Sequence, residues 1–277
     1  MPPASTTTRT DGATIETAAA RAILPKARHD GLAFEELAER YNFLEVSSYG
    51  CVLANLILKE ILKRPRPLRV LDVGCGKGIG RDVAYQWALR PRIDDYWGIE
   101  PDESVASPAG LFDRRIPALM EQAELPRGHF DVVYSSMVME HVTDPAAFMG
   151  AVHRCMRPGG CYMFATPNSA NFICLVGIAS HKLRLDEPLL LLSKGRQQTE
   201  EYHYPVQYRF NNPRAIARCV RALGFNEPEF AFVEGDGSRS YFRGPLRPIY
   251  SLLKAKRRLI RNPRALATLI GRITRPA

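Results

Sequence analysis

The sequence predicts an α/β domain built on a mostly parallel sheet with helices on both faces. Two observations carry that expectation. Between residues 68 and 165, short leucine-rich and β-branched runs alternate with segments of helical periodicity, the order that produces right-handed crossover units. The first of these runs, residues 68–73, empties into a glycine-rich turn that opens a helical stretch, the junction at which sheets of this kind receive ligands. A chain of 277 residues can bury a substantial core. Its 45% apolar and 24% charged content excludes a wholly disordered or fibrous chain.

Residues 1–29 begin with Pro, Ser, Thr and Gly and hold one weak helical stretch at 15–24. They read as a flexible leader, and 30–277 as the folded domain. Helical spacing follows at 34–41 and 49–62, where Leu53, Leu56, Ile57 and Ile61 make one stripe before a stop at Arg64-Pro65. Strands are expected at 68–73, 96–99, 130–134, 161–165, 230–233 and 267–273, with a fainter one near Ile116-Pro117, seven in all. Helices are expected at 79–89 and 146–156, the latter closed by Arg157-Pro-Gly-Gly160 as a glycine-capped turn. Two segments, about 168–208 and 237–266, exceed ordinary connections. Both read as insertions that supply acceptor contacts and a lid over the site.

Six cysteines (Cys51, Cys75, Cys155, Cys161, Cys174, Cys219) form no C-x-x-C pair, and the six histidines show no ligand spacing. Reduced thiols, a cytoplasmic setting and no bound metal are the expectation. No run approaches the roughly 18–20 apolar residues that a membrane span needs. The net charge of +9 comes from 38 basic against 29 acidic residues. After Asp236 there are eleven Lys or Arg and no Asp or Glu, so the whole excess lies in the last forty-one residues. Within 246–261, Ile249, Leu252, Leu253, Leu259 and Ile260 fall on one helical arc, with Lys254, Arg257, Arg258 and Arg261 opposite and Lys256 intruding on the arc. That pattern suits peripheral contact with an anionic membrane, and it suits equally a solvated helix packed on the domain. Nucleic acid is disfavoured, because stacking aromatics are not interleaved with the cations.

The sharpest signal is Val70-Leu-Asp-Val-Gly-Cys-Gly-Lys-Gly78. Its glycines let backbone N–H groups approach a ligand, and Glu100, at the end of the next strand, can accept both hydroxyls of a ribose. An adenosine-bearing ligand follows. The dinucleotide spacing G-x-G-x-x-G fails from every start, since Gly74 and Gly76 lead to Ile79 and Gly76 and Gly78 to Arg81. Asp72, two residues ahead of the first glycine, suits a ligand with an ammonium group better than a pyrophosphate. A nicotinamide-dependent reductase and a non-catalytic module docking at a membrane remain the alternatives. Cys75 reads as packing, because only a small residue is needed there.

Seven pieces stand in order: Asp72-Val-Gly-Cys-Gly-Lys-Gly78, Glu100, Ala123-Glu-Leu-Pro126, Phe130-Asp-Val-Val133, Met139-Glu-His-Val-Thr-Asp-Pro145, Arg157-Pro-Gly-Gly160 and Ala165-Thr-Pro-Asn168. This series resembles the class I S-adenosylmethionine-dependent methyltransferases over residues 35–168, and within them the small-molecule branch of ubiquinone-type and glycan-associated O-methyltransferases. The resemblance implies a doubly wound, Rossmann-like, seven-stranded fold and S-adenosyl-L-methionine as cofactor. It implies that Asp72, Gly74 and Gly76 line the methionine end, that Glu100 holds the ribose, and that Glu124 and Leu125 flank the adenine. Ser136 and Met137 would approach the sulfonium. Methyl transfer to an oxygen, or less readily a nitrogen, of a small-molecule, glycan or lipid-linked acceptor is the implied activity. His141, beside Glu140, is a candidate proton acceptor, although in this family the pair more often shapes the cavity wall. His203 is the other candidate, from the aromatic cluster Glu200-Glu-Tyr-His-Tyr204 with Tyr208 and Phe210 in the first insertion.

Overall fold

A computed structural model describes residues 23–172, 174–175, 206–207, 209–242 and 247–277. The elements run α1 (Phe34–Glu39), β1 (Asn42–Phe43), α2 (Tyr49–Leu62), β2 (Arg69–Val73), α3 (Val83–Leu89), β3 (Asp95–Ile99), β4 (Arg114–Ile116), β5 (Phe130–Ser136), α4 (Pro145–Cys155), β6 (Met156–Pro167), α5 (Pro213–Ala222), β7 (Glu229–Glu234), α6 (Arg247–Leu259) and β8 (Thr268–Thr274). The strands form one sheet in the order β1-β7-β8-β6-β5-β2-β3-β4. Only β8 runs antiparallel, against β6 and β7. The eighth strand is β1, two residues paired with β7, too short to announce itself by alternation.

Strand residues alternate between two cores. Val70, Tyr96, Val132, Tyr134, Met163 and Ile270 face one, which α2 covers with Cys51, Val52, Leu53, Leu56, Ile57 and Ile61. Leu71, Val133, Tyr162, Phe164 and Leu269 face the other, covered by α4 and α5 through Phe148, Met149, Val152, Ile216 and Val220. This period-two division is what a sheet packed on both faces requires. Short polar caps mark the starts of α2 and α4. Ser48 Oγ accepts from Cys51 N at 3.0 Å ahead of α2. Asp144 Oδ1 accepts from Ala146 N and Ala147 N at 3.0 Å each ahead of α4.

Three local expectations are corrected. The helix expected at 79–89 begins at Val83, because residues 79–82 form a turn in which Gly80 and Arg81 take positive φ values of 61° and 68°. Arg157-Pro-Gly-Gly160 does not cap a helix: α4 ends at Cys155, and these four residues bulge inside β6, whose register jumps from Phe130↔Met156 to Val132↔Cys161. The turn chemistry is real, but it interrupts a strand. The last residues of the expected leader are held on the domain: Ile23 is buried, its carbonyl accepting from Asn55 Nδ2 at 2.9 Å, and buried Asp30 accepts from the backbone N–H groups of Lys26, Ala27 and Ser47. Residues 1–22 lie outside the described ones.

Candidate active site

The strand order reverses between β2 and β5, and a crevice opens beyond the carboxyl ends of the strands there. A cavity of about 870 Å³ lies at this edge, in the upper part of the range of about 300–1,000 Å³ usual for small-molecule sites. One end is lined by Val73, Gly74, Lys77, Gly78, Ile99 and Glu100. The other reaches Glu140, His141, Asn171, Cys174 and the stretch from Val233 to Ser240. Both ends belong to one continuous space.

The glycine turn works through close approach. Glu100 Oε2 accepts from Gly76 N at 3.0 Å, and a Cβ placed on Gly76 would stand 2.5 Å from that oxygen. Glu100 Oε1 accepts from Asp102 N at 3.1 Å. An ionised carboxylate has about four acceptor positions, so two remain for hydroxyls of a ligand in the cavity that Glu100 lines. That donor and acceptor set fits the ribose of S-adenosylmethionine. Gly78 closes the turn at φ 83°, where a Cβ would meet Val83 N at 2.6 Å, a conformation and a clearance that only glycine meets. Ser136 Oγ accepts from Gly80 N at 3.1 Å, tying the end of β5 to the same loop.

Asp72 stands behind this loop. Its carboxylate is 2% exposed and accepts from Gln86 Nε2 at 2.5 Å and Tyr134 OH at 2.7 Å. Gln86 Nε2 also donates to the Cys75 carbonyl at 3.0 Å, and the Tyr134 hydroxyl meets that of Tyr96. Burial pushes the Asp72 carboxyl up to about 7, against the two hydrogen bonds it receives. Asp72 thus joins β2, α3 and the glycine turn. It does not line the cavity, nor does Gly76, whose N–H is spent on Glu100.

Of the residues singled out in the sequence, Gly74, Glu100, Ser136, Met137 and His141 line the cavity. Glu124 and Leu125 do not. After β4 the chain turns, with Gln122 N and Ala123 N both donating to the Leu119 carbonyl, at 3.0 and 2.9 Å. This presents Ala118, Leu119, Met120 and Glu121 to the cavity and leaves Glu124 exposed, with Leu125 packed on the core beneath. His203 lies outside the described residues, as does most of the first insertion; of the second, Gly237, Ser238 and Ser240 reach the cavity.

The far end holds a residue that sequence reasoning assigned to the wall. Glu140 is 5% exposed, accepts from Thr166 Oγ1 at 3.2 Å, and burial pushes its carboxyl up to about 7. Asn211 Nδ2 donates to the same Thr166 hydroxyl at 2.6 Å. Asn168 anchors the entry to β8, donating to the carbonyls of Arg264 and Leu266 at 2.8 Å each. The Thr-Pro-Asn piece therefore fastens Glu140 and the entry to β8 at this end of the cavity. The thiols are free and no disulfide is formed; burial pushes Cys174, at the cavity wall, up to about 12. Among the described residues no cluster of His, Cys, Asp and Glu could hold a metal ion.

A family model described as a methyltransferase domain matches residues 45–227. The ubiquinone biosynthesis O-methyltransferase of Acinetobacter baylyi is 32% identical over 169 residues, 56% of this chain and 62% of that protein. That of Pseudomonas aeruginosa is 36% identical over 109 residues, 36% of this chain and 44% of that protein. The chain spans about three-fifths of the length of the Acinetobacter relative. The YcgJ protein of Bacillus subtilis shares the fold with a TM-score of 0.50 at 14% identity, over 81% of this chain and 98% of its own. With its glycine turn and more than half its length matched, this chain belongs to the methyltransferase-domain family of class I S-adenosylmethionine-dependent enzymes.

Proposed function

We propose that this chain transfers a methyl group to an oxygen, less readily a nitrogen, of a small-molecule, glycan or lipid-linked acceptor. One observation carries the reading: a single cavity runs from the Gly74–Glu100 end to the Glu140–His141 end, so a cofactor and an acceptor can share it. When bound, S-adenosylmethionine supplies an electrophilic methyl on a sulfonium. The chain's own part is to hold the acceptor in line and exclude water, which accounts for most of the acceleration in such displacements. Glu100, Gly74, Ser136 and Met137 are the cofactor contacts in this reading, and Asp72 and Gly76 keep their loop in place.

An acceptor hydroxyl must give up its proton, and His141 and Glu140 are the described cavity residues suited to take it. His203 is the third candidate. Oxygen as the acceptor atom is supported by the ubiquinone biosynthesis O-methyltransferases among the relatives. A lipid-linked acceptor would be met at a membrane, and we read the cationic stretch 246–261 as peripheral contact with an anionic one.

Melting curves with S-adenosylhomocysteine and with NADPH test the cofactor, and labelled methyl transfer to catechol-type acceptors tests the chemistry. Stabilisation by S-adenosylhomocysteine alone is expected, with label on a phenolic oxygen. His141→Ala is expected to lower turnover with cofactor affinity unchanged. A shift with NADPH and none with S-adenosylhomocysteine would overturn the reading.

A further inference from the structure

Helix α6 packs on the domain by the side that its composition would send to solvent. Tyr250 and Arg257 are its buried residues. The Arg257 guanidinium pairs with the Glu234 carboxylate, 8% and 1% exposed respectively. Tyr41 OH donates to the Arg257 carbonyl at 2.8 Å, and Tyr250 OH to Asp236 Oδ1 at 3.2 Å. Glu234 lines the cavity and Ala267 N donates to its second oxygen at 3.0 Å, so α6 is clamped to the cavity rim itself.

The opposite face is apolar and bare. Leu252 is 72% exposed and Leu259 85%, with Ile249 at 42% and Ile260 at 56% at its edge. Leu252 and Leu259, seven residues apart, stand in one line two turns along the helix. Exposed Lys256 flanks that line on one side, and exposed Arg247 and Arg258 on the other. Arg261 and Arg264 follow, and no acidic residue occurs after Asp236.

We propose that this outer face of α6 docks on an anionic lipid bilayer, Leu252 and Leu259 entering the acyl boundary while Arg247, Lys256 and Arg258 meet the headgroups. Charge complementarity selects the partner, because an apolar ridge edged only by cations matches the interface of a negatively charged leaflet. A phosphate backbone would use the cations and leave the leucines in water. The inference rests on the lipid-linked acceptor proposed above for its purpose: through the Arg257–Glu234 clamp, docking brings the cavity rim to the surface that carries such an acceptor.

Flotation of the full chain with vesicles tests it. Phosphatidylcholine vesicles containing phosphatidylglycerol are expected to carry the protein, and pure phosphatidylcholine vesicles to leave it behind. Leu252→Gln and Leu259→Gln are expected each to lower partitioning about tenfold. Lys256→Glu with Arg258→Glu should lower it about tenfold or more, and raised salt should mimic that loss. Leu62→Gln, another exposed leucine, should change nothing. Melting temperatures should be unchanged in the leucine variants, since the ridge is exposed; a fall of several degrees would mean that the chain covers its own ridge, and would overturn the proposal. Equal binding to neutral vesicles, no binding, or displacement from vesicles by an oligonucleotide would also overturn it. S-adenosylhomocysteine stabilisation is measured on the same samples, so lost docking with retained stabilisation sinks this inference alone.

Discussion

The two ends of the cavity are built differently. At the proposed cofactor end, β2, β3 and β5 stop side by side, and the cavity is lined by Val73, Gly74, Lys77, Gly78, Ile99 and the Glu100 carboxylate. At the proposed acceptor end, the walls come from the segments that follow β5, β6 and β7, held to one another and to the strand ends by side chains: Asn168 to Arg264 and Leu266, Thr166 to Glu140, Arg257 to Glu234. The first end is a property of the sheet and tolerates little variation. The second can be rebuilt by exchanging side chains while the sheet stands, which is how one fold serves many acceptors.

Gly76→Ala gives the hardest test of that contrast. A Cβ 2.5 Å from Glu100 Oε2 and 3.0 Å from Val105 Cγ1 must push the carboxylate aside and break its bond from Gly76 N. A displaced carboxylate loses its charge-assisted bonds to the ligand hydroxyls, about 2–3 kcal/mol or roughly a hundredfold in S-adenosylhomocysteine affinity by calorimetry. A fall of a few degrees in melting temperature should accompany it, because the bond from Gly76 N to Glu100 is also part of the fold. Unchanged affinity would show that the cofactor end is as adaptable as the acceptor end.

Glu140 sharpens the comparison from the other side, through pH. Its folded carboxyl is raised to about 7 by burial, so folding takes up a proton between the ordinary carboxylate range and neutrality. Stability from this group is complete below the unfolded value and is lost as pH rises through about 7. Glu140→Gln cannot ionise, so the fall in melting temperature between about pH 5 and pH 8 should flatten, by an amount equivalent to about 1–2 kcal/mol. Part of the fall should survive, because Asp72 is raised by burial in the same direction. A full slope in the variant would move the proton uptake away from the acceptor end.

The same division governs what the sequence discloses. Residues at the cofactor end are legible because backbone geometry demands them: Gly76 and Gly78 have no room for a side chain, and Glu100 follows a short strand that Tyr96, Trp97 and Ile99 mark. Asp72 is legible as a position but not as a contact, since its partners Tyr134 and Gln86 are distant in the chain and carry no motif. The acceptor end is poorly legible for the same reason. Nothing local in Val233 to Ser240 announces a cavity wall, and the ion pair that turns α6 over joins Arg257 to Glu234, 23 residues apart in the chain. Helical periodicity found α6 and its two faces. Only the buried carboxylate of Glu234 decides which face turns inward.

The smallest effect tests a boundary of the proposed cofactor end, where the family resemblance and the geometry differ by about one turn of chain. The resemblance implies Glu124 and Leu125 as neighbours of the adenine, whereas the turn closed on the Leu119 carbonyl puts residues 118–121 on the cavity. Leu119 is 40% exposed, so a ligand ring laid against it would cover a modest apolar area. At about 25 cal/mol per Å² this amounts to some 0.5–1 kcal/mol. Leu119→Ser should therefore weaken S-adenosylhomocysteine about twofold to fivefold, and Glu124→Ala should leave it unchanged. The reverse pattern in paired calorimetric titrations would mean that the turn after β4 rearranges when the cofactor binds. The rigid part of the site would then end at Glu100, and the adenine wall would belong with the adaptable acceptor side.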